Sequence, residues 1–336
     1  MSSQITIPIS RLPRDSLERH EKLRSYFCDK DALATHVGNH WTLTLEWSDD
    51  PYRYVDPNLN QGLTWWGDNI RYKDIAFARK RRGRLLLSLN DTWTLESWSE
   101  WLVSNPQHPH ITVLHVDDHK DLGPPRIFQH EDAWVDSITG KTFNLLDPCS
   151  VTSAIKSGAL GMGSFLTPFL HFAPSTDVRH LCQGPKCIGT IDSAIKLDLL
   201  PDTLLNPNKC RPGISLTADN NGIGRGRYRF TNDFDSWLEG LNSDFDEETA
   251  ILLHIDMDYF CNRYDGDSDA IENPGPLDCS LQQVLIRINE LTQALKRHKI
   301  LDRLADIVVA FSPGFFPAEF WAQSCNQLLI GLEETI

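Results

Sequence analysis

Four short, continuous apolar segments constrain the fold of this 336-residue chain most strongly. They are RLLLSLN, HITVLHV, AILLHI and ADIVVAF, at residues 84–90, 110–116, 250–255 and 305–311. Strands that are buried on both faces have apolar sequences of this kind, whereas strands with one solvent face alternate apolar and polar residues. Amphipathic segments at residues 94–104 and 280–298 are typical of helices that pack on such a sheet. The sequence therefore predicts an α/β fold of three layers, α/β/α, around a mainly parallel sheet.

The length and the distribution of glycine and proline indicate one large domain. A single hydrophobic core rarely grows beyond about 250–300 residues, so residues 1–336 fit one catalytic domain with elaborations. Residues 1–80 form an N-terminal lead-in, with a predicted helix at 16–27 and a predicted strand at 40–47. Residues 122–248 are rich in glycine, proline and asparagine, and this composition predicts an elaborated insertion outside the repeating strand-and-helix core.

Composition and charge exclude several classes of partner. The chain has 32 basic and 46 acidic residues and a formal net charge of −14, which repels the phosphates of nucleic acids. No apolar run approaches the roughly 18 residues of a membrane span, and the first residues lack the apolar core of a secretion signal. Eight cysteines are too few for a disulfide scaffold. We therefore expect a cytoplasmic protein that binds neither nucleic acid nor membrane, and the sequence leaves assembly into a homo-oligomer open.

Acidic clusters follow two of the apolar segments. The first cluster supplies Asp117, His119 and Asp121, and the second supplies Asp256 and Asp258. Because ligands of parallel α/β sheets bind outside the carboxyl ends of the strands, both clusters should reach one crevice. Residues two positions apart on an extended chain point to the same side, so each set should face a common point.

Carboxylates that meet in one crevice require a cation, because like charges at short range raise each other's pKa. Oxygen ligands with one imidazole suit manganese better than zinc. Two such ions about 3.5–4 Å apart can share a water molecule and lower its pKa towards 7. Either cluster alone would more often be a helix cap or a solvated turn, whereas two corresponding clusters favour a metal site. Asp118 has the opposite parity and should point away, while His115 lies inside the strand and should pack beside the ligands.

These motifs resemble those of the ureohydrolase superfamily, which includes arginases and agmatinases. Asp117-Asp118-His119-Lys120-Asp121 is similar to the family's Asp-Ala-His-x-Asp motif, and Asp256-Met257-Asp258 is similar to its Asp-x-Asp motif. The resemblance runs from about residue 85 to residue 316. It implies the arginase fold, which histone deacetylases share, and two Mn²⁺ ions bridged by Asp117 and Asp256. Asp121 and Asp258 would each complete the shell of one ion, and His119 would bind the second. Asp121 would also act in catalysis, as acceptor of a hydrogen bond from the attacking water.

The sequence departs from the family pattern in three places. Where the family has another metal-binding His after the preceding strand, this chain has Asp91, which could replace imidazole on manganese or cap the helix near residue 94. Where arginases have a Glu that binds the guanidinium group, the nearest acid is Glu319, for which an ordinary surface position is the alternative. Asn262 stands near the place where the second motif's final Asp is expected.

No segment corresponds to the loops that bind the α-amino and α-carboxylate groups of free arginine. The segments VLHVDDHKDLG, LHIDMDYF and VAFSPGFFP are together similar to a divergent branch that includes the peptide arginases of ribosomal natural-product pathways. This resemblance implies an arginine-containing precursor peptide as partner, whose arginine side chains are hydrolysed to ornithine and urea. His130 and His171 are candidate proton donors, although a single His in a connecting region is more often structural.

Three other functions stay open at this point. A deacetylase-like amide hydrolase would share the fold with one catalytic metal ion, although two complete Asp motifs favour two ions. A ureohydrolase of free arginine or agmatine would use the same centre on a smaller substrate. A non-catalytic, metal-containing peptide-binding protein would account for the loss of the usual His and Glu.

Overall fold

The computed structural model describes residues 3–108, 110–218, 226–241 and 249–335. Within these residues the strands are β1 (Ser3–Pro8), β2 (Lys30–Val37), β3 (His40–Trp47), β4 (Arg79–Arg82), β5 (Leu85–Ser88), β6 (His110–Val116), β7 (Ile127–His130), β8 (Ala133–Asp136), β9 (Thr142–Phe143), β10 (Ser175–Leu181), β11 (Thr190–Pro201), β12 (Cys210–Thr217), β13 (Arg227–Thr231), β14 (Ala250–Asp256) and β15 (Leu304–Ala310). The α-helices are α1 (Ser16–Phe27), α2 (Leu59–Trp66), α3 (Trp93–Ser104), α4 (Pro148–Ser157), α5 (Leu166–Phe172), α6 (Phe234–Leu238), α7 (Leu281–Arg297) and α8 (Trp321–Leu332).

A nine-stranded sheet forms the centre of the molecule, in the order β12-β11-β13-β10-β6-β14-β15-β5-β4. Six consecutive strands, from β13 to β5, are parallel to their neighbours. Antiparallel strands complete both edges, with β4 on one side and β11 and β12 on the other. The four apolar segments of the sequence correspond to β5, β6, β14 and β15, which lie side by side. The predicted mixed α/β architecture with a mainly parallel sheet is confirmed.

Helices cover both faces of this sheet, and the parity of the strand residues determines which face each side chain enters. On β14, Ile251 and Leu253 join a core cluster with residues of α2, α7 and α8. Leu252, between them, joins a second cluster with residues of α3, α4 and α5. Every residue of β14 is buried, which explains why its sequence is continuously apolar up to His254. Helix α7 begins with the predicted capping box of Ser280 and Gln283.

The region that the sequence predicts as an insertion contributes to the central sheet. β10 pairs with β6 along its whole length, and β13 pairs with β10, so both belong to the parallel part. The prediction that residues 122–248 stand outside the core is therefore wrong for these two strands. The error has a physical cause: β10 reads STDVRHL, whose polar residues alternate with buried ones, so it lacks a continuous apolar run. Residues 219–225 and 242–248 of this region lie outside the described residues.

The N-terminal segment packs as a small unit with its own core. Strands β1, β3 and β2 form an antiparallel sheet, and the predicted helix and strand are present as α1 and β3. Phe27 of α1 and Leu43 of β3 are buried in a core cluster that also includes Leu204. The hydroxyl of Tyr26 donates to Asp202 at 2.7 Å. Contacts with residues 202 and 204 thus fasten this segment to the rest of the chain.

None of the helices in the described part of the chain combines the length and the apolarity that crossing a membrane requires.

Candidate metal centre

The candidate centre lies beyond the carboxyl ends of four adjacent parallel strands, β6, β14, β15 and β5. β6 leads directly into Asp117, and β14 ends at Asp256. Asp91 follows β5 after two residues, and Ser312 follows β15 after one. Because parallel strands end at the same edge of a sheet, the loops that follow them converge. The structure brings the two acidic clusters of the sequence together at this edge.

Short contacts join the two clusters and hold their carboxylates. His119 Nδ1 lies 2.9 Å from Asp258 Oδ2 and 3.6 Å from Asp117 Oδ1. The backbone N–H of His119 donates to Asp117 Oδ1 at 2.6 Å, and that of Asp258 donates to Asp256 Oδ1 at 3.2 Å. The hydroxyl of Ser312 donates to Asp256 Oδ2 at 2.5 Å. Loop atoms therefore fix the orientation of these carboxylates before any ion binds.

Side chains at this centre are close enough to hold a metal ion. Three groups have ligand atoms within 4.8 Å of one another: His115 with Asp117, Asp121 and His254; Asp117 with His119 and Asp258; and Asp118 with His119 and Asp265. Asp117 belongs to the first two groups, which is the arrangement expected of a carboxylate between two ion positions. The buried His and Asp residues around Asp117 could thus bind a metal.

Unsatisfied oxygens show that the residues fit a cation. Asp91 Oδ1, Asp117 Oδ2 and Asp121 Oδ2 are buried and have no hydrogen-bond partner among the described residues. The residues that carry them are 1%, 1% and 6% exposed. A buried carboxylate oxygen without a partner is costly, and a metal ion is a partner that could serve all three. An oxygen-rich set with one imidazole, that of His119, fits a hard divalent cation such as manganese.

Electrostatics at the centre also favour a cation. Burial, followed by the charge of Asp121, raises the pKa of Asp91 well above its usual value. Burial and the charge of Asp258 raise the pKa of Asp117 and of Asp256 in the same way. Burial lowers the pKa of His119, but the charge of Asp258 and hydrogen bonds to nearby carboxylates outweigh it and raise this pKa. A divalent ion would remove the repulsion and keep the carboxylates ionised.

Asp91 lies in the cavity lining and does not cap a helix. Helix α3 has Thr92 at its N-cap position and no side-chain cap hydrogen bond, and the backbone N–H of Thr92 donates to the side chain of Asn90 at 3.0 Å. Asp91 Oδ2 accepts from the backbone N–H of Gly163 at 2.8 Å, and its other oxygen is unpartnered. Asp91, Asp121 and Asp256 all line the cavity. After burial and the charge of Asp258, the charges of Asp91 and Asp121 also raise the pKa of Asp256.

A row of three buried histidines lies beneath the carboxylates. His180, His115 and His254 occupy the same register on β10, β6 and β14. His115 Nε2 is 3.1 Å from the carbonyl oxygen of His119, so this nitrogen donates and its Nδ1 accepts from His254 Nδ1 at 3.0 Å. His115 could bind a metal through Nε2 only by breaking the first bond. Its predicted position beside the ligands agrees with this geometry, and burial lowers its pKa to about 4.

We expect Tyr228→Phe to destabilise the protein by about 1–3 kcal/mol, because it removes a buried hydrogen-bond donor. His180 Nε2 donates to the carbonyl oxygen of Asp117 at 2.9 Å, so its Nδ1 must accept from the Tyr228 hydroxyl at 2.7 Å. The matched control is Tyr52→Phe, since Tyr52 is 85% exposed. Urea denaturation monitored by circular dichroism would measure both variants, and equal midpoints would contradict this role of Tyr228.

Glu319 does not reach the centre, which corrects the sequence prediction for it. Its Oε1 accepts from Arg263 Nη1 at 2.6 Å, and Glu319 is not among the residues that line the cavity over the centre. The three-residue turn Ala318–Phe320 that carries Glu319 follows the loop after β15 and directs it towards Arg263. Its ion pair with Arg263 thus keeps the carboxylate of Glu319 outside the crevice.

The remaining residues singled out in the sequence occupy neighbouring or distant positions. Asp118 is buried and points away from the cavity, where Lys186 and Asn262 donate to its Oδ2. Asn262 also donates to Asp265 at 3.0 Å, so it organises the rim instead of acting as a ligand. His171 Nε2 bonds to the carbonyl oxygen of Gly213 at 2.7 Å. His130 ends β7, and neither histidine lines the cavity.

A cavity of about 690 Å³ opens over the centre. Its wall includes Asp91, His119, Asp121, Asp256 and Asp258 at the floor and residues of the N-terminal segment at the mouth. The lining contains five non-glycine residues with positive φ, namely Cys28, Val55, Asp121, Asp265 and Ser312. Such backbone conformations are uncommon, and for a β-branched residue like valine they are strained. Strain of this kind concentrates at functional sites, where the surrounding structure maintains it.

Sequence reasoning missed three cavity residues. Ser312 stands just past the end of β15, so the rule that ligands bind at strand ends could have identified it. Asp265 bonds to His119 Nε2 at 3.0 Å, and its place seven residues after Asp258 gave a weak signal. Asp29 lies between α1 and β2, in the segment predicted to be a lead-in, and no local pattern links it to the centre.

The chain matches no protein-family model, and comparison with curated proteins finds no significant match.

Proposed function

We propose that this protein is a metal-dependent hydrolase of the arginase-like type, which converts arginine side chains within a peptide to ornithine and releases urea. The single observation that carries the proposal is the set of unpartnered carboxylate oxygens of Asp91 and Asp121 in the cavity lining, together with that of Asp117, which shares a candidate metal group with Asp121. Single unpartnered oxygens also occur at Asp136 and Glu319, whereas at the centre several occur together beside one cavity. A metal ion would give these oxygens the partner that the protein does not supply.

We assign the residues to two ligand sets that would share two members, of which Asp117 belongs to two of the candidate metal groups among the described residues. Asp117 and Asp256 would contact both ions. Asp91 and Asp121 would complete the set on the side of Gly163, while His119 and Asp258 would complete the other. When bound, two Mn²⁺ ions would lower the pKa of a shared water and so supply a nucleophile at neutral pH.

The reaction joins a water oxygen to the guanidinium carbon and breaks the bond from that carbon to the side-chain nitrogen. The leaving amine takes up a proton, and the products are urea and ornithine. Asp121, with its free Oδ2 at the floor of the cavity, is the residue that would accept a proton or a hydrogen bond from the attacking water. Ser312 keeps Asp256 oriented through its hydrogen bond to Oδ2.

The size of the cavity supports a substrate larger than a free amino acid. A volume of about 690 Å³ lies within the range of pockets that enclose drug-sized ligands. Its mouth is formed by α1 and the segment near Tyr54, which an extended peptide could contact. Contacts remote from the reacting group supply binding energy that holds this group in position.

The test is incubation of the manganese-loaded protein with an acetylated, amidated peptide that contains one arginine. We expect urea and a peptide whose mass corresponds to ornithine, in equal amounts, with much slower release of urea from free arginine or agmatine. Chelation should abolish both products. Deacetylation of an acetyl-lysine peptide without urea would support an amide hydrolase instead, and peptide binding without any product would support a non-catalytic binding protein.

A further inference from the structure

Asp29 is an acidic residue of the cavity wall that none of the ligand sets uses. It follows Cys28, whose φ of 54° ends α1 in an uncommon backbone conformation and turns the chain towards the cavity. Its Oδ2 accepts from the backbone N–H of Met162 at 3.0 Å. A carboxylate held by strained backbone in a cavity wall is positioned for a ligand.

The carboxylate of Asp29 lies close to the metal centre. Met162 donates to Asp29 and the next residue, Gly163, donates to Asp91 at 2.8 Å, so one short loop holds both carboxylates. Three covalent bonds separate consecutive backbone nitrogens, which limits the two accepting oxygens to about 10 Å apart. The charge of Asp29 also raises the pKa of Asp91, which agrees with this proximity. Asp29 and Asp91 thus line one cavity at a separation that a long side chain of a substrate could span.

Asp29 has no ion-pair partner among the residues that the structure describes. The two nearest guanidinium groups make their direct contacts elsewhere: Arg53 Nε pairs with Asp31 at 3.2 Å, and Arg126 Nε donates to the carbonyl oxygen of Tyr26 at 2.6 Å. Burial raises the pKa of Asp29, and the charges of Arg126 and Arg53 lower it, so these cations help to keep the carboxylate ionised. Asp29 therefore keeps a carboxylate oxygen in the cavity wall that makes no direct ion pair with the residues that the structure describes.

We propose that Asp29 binds the positively charged end of the substrate side chain and thereby selects guanidinium groups over neutral ones. This inference rests on the proposed function and assigns to Asp29 the role that Glu319 cannot fill. With Oδ2 held by Met162, the other oxygen can accept an N–H of the guanidinium group in a charge-assisted hydrogen bond. The N-terminal segment is then a part of the binding site, because it supplies this specificity-determining residue.

The test compares the binding of three peptides of identical sequence by fluorescence anisotropy, with manganese-loaded protein. Two of the peptides are compared in binding: at the variable position one carries lysine, which is a cation without a guanidinium carbon, and the other carries citrulline, the neutral isostere of arginine. The third peptide carries arginine and is used to measure initial rates. We expect wild-type protein to bind the lysine peptide about tenfold or more tighter than the citrulline peptide, since hydrogen bonds to charged groups contribute that much. Asp29→Asn should remove this preference and raise KM for the arginine peptide with a smaller effect on kcat.

Two further variants make the result specific. Asp29→Glu keeps the charge and should keep much of the preference, and Glu18→Gln, at an exposed position of α1 that does not line the cavity, should leave it unchanged. Asparagine can still accept from Met162, so Asp29→Asn should retain its full metal content. Loss of metal in this variant, equal binding of the two peptides by the wild type, or an unchanged preference in Asp29→Asn would each overturn the proposal. An Asp29-dependent preference without urea would contradict the proposed reaction but not this inference.

Discussion

Asp256→Asn should abolish urea release and reduce manganese binding by at least one ion per chain, while the protein stays folded. Asparagine preserves the shape of the side chain: its amide oxygen can still accept from the backbone N–H of Asp258, and its NH2 group can donate to the hydroxyl oxygen of Ser312. It removes one negative charge from a ligand that we assign to both ions, so the pair should no longer form. Metal analysis after dialysis and a urea assay would measure the two effects.

Thermal unfolding separates this loss of metal from a loss of fold. Manganese should raise the Tm of the wild type, because an ion that binds only the folded state stabilises it. Manganese should have little effect on the Tm of Asp256→Asn. In chelator, the Tm of this variant should equal or exceed that of the wild type, because one of the buried carboxylates that repel each other has lost its charge. The matched control is Asp118→Asn, a buried neighbour that points away from the cavity and should keep metal and activity. Full turnover by the Asp256 variant would contradict its assignment.

Asp91→Asn should lose one of two manganese ions and slow urea release by more than about a hundredfold. Replacement of a residue that only supports a metal ligand typically lowers metal affinity or activity by about 10–100-fold, and replacement of a ligand should lower it further. Asparagine retains an acceptor for Gly163, so the loop stays anchored while the charge is lost. Because the side chain of Asp91 does not cap α3, this change should leave the helix stable.

This prediction is tested by measuring the metal content of Asp91→Asn and of the Asp118→Asn control. The Tm of each variant in chelator shows whether it is folded. A variant that retains two ions and the wild-type rate would mean that Asp91 only anchors the loop at Gly163.

The parts of the fold that local sequence determines could be predicted. The apolar strands β5, β6, β14 and β15 identify themselves by continuous burial, and their ends bring Asp117 and Asp256 together because parallel strands share an edge. Parity predicted that Asp118 points away, and Asp118 does not line the cavity, because its Oδ2 accepts from Lys186 and Asn262. The premise of an extended chain was wrong, since Asp121 has a φ of 52° and Met257–Tyr259 form a 3-10 helix. These inferences depend on nothing beyond a few consecutive residues.

The parts that depend on distant contacts could not be predicted. β10 joins the central sheet although its alternating polar residues do not predict a buried strand. Its pairing with β6 places His180 beside His115. Asp29 reaches the cavity through the packing of the N-terminal unit and through the loop at Met162, 133 positions away in the chain. Glu319 had the right chemistry near the right strand, but Arg263 holds its carboxylate outside the cavity. Such partners follow from the tertiary structure alone.

The number of manganese ions that the wild-type chain binds tests the central claim most directly. Metal-free protein would be titrated with Mn²⁺ in a calorimeter, and the ions retained after dialysis would be counted by mass spectrometry. The two ligand sets that we assign, which share Asp117 and Asp256, predict two ions per chain, and both should be lost when Asp256 is replaced. A chain that binds no manganese, and whose Tm does not respond to it, would contradict the assignment of a metal centre to these residues.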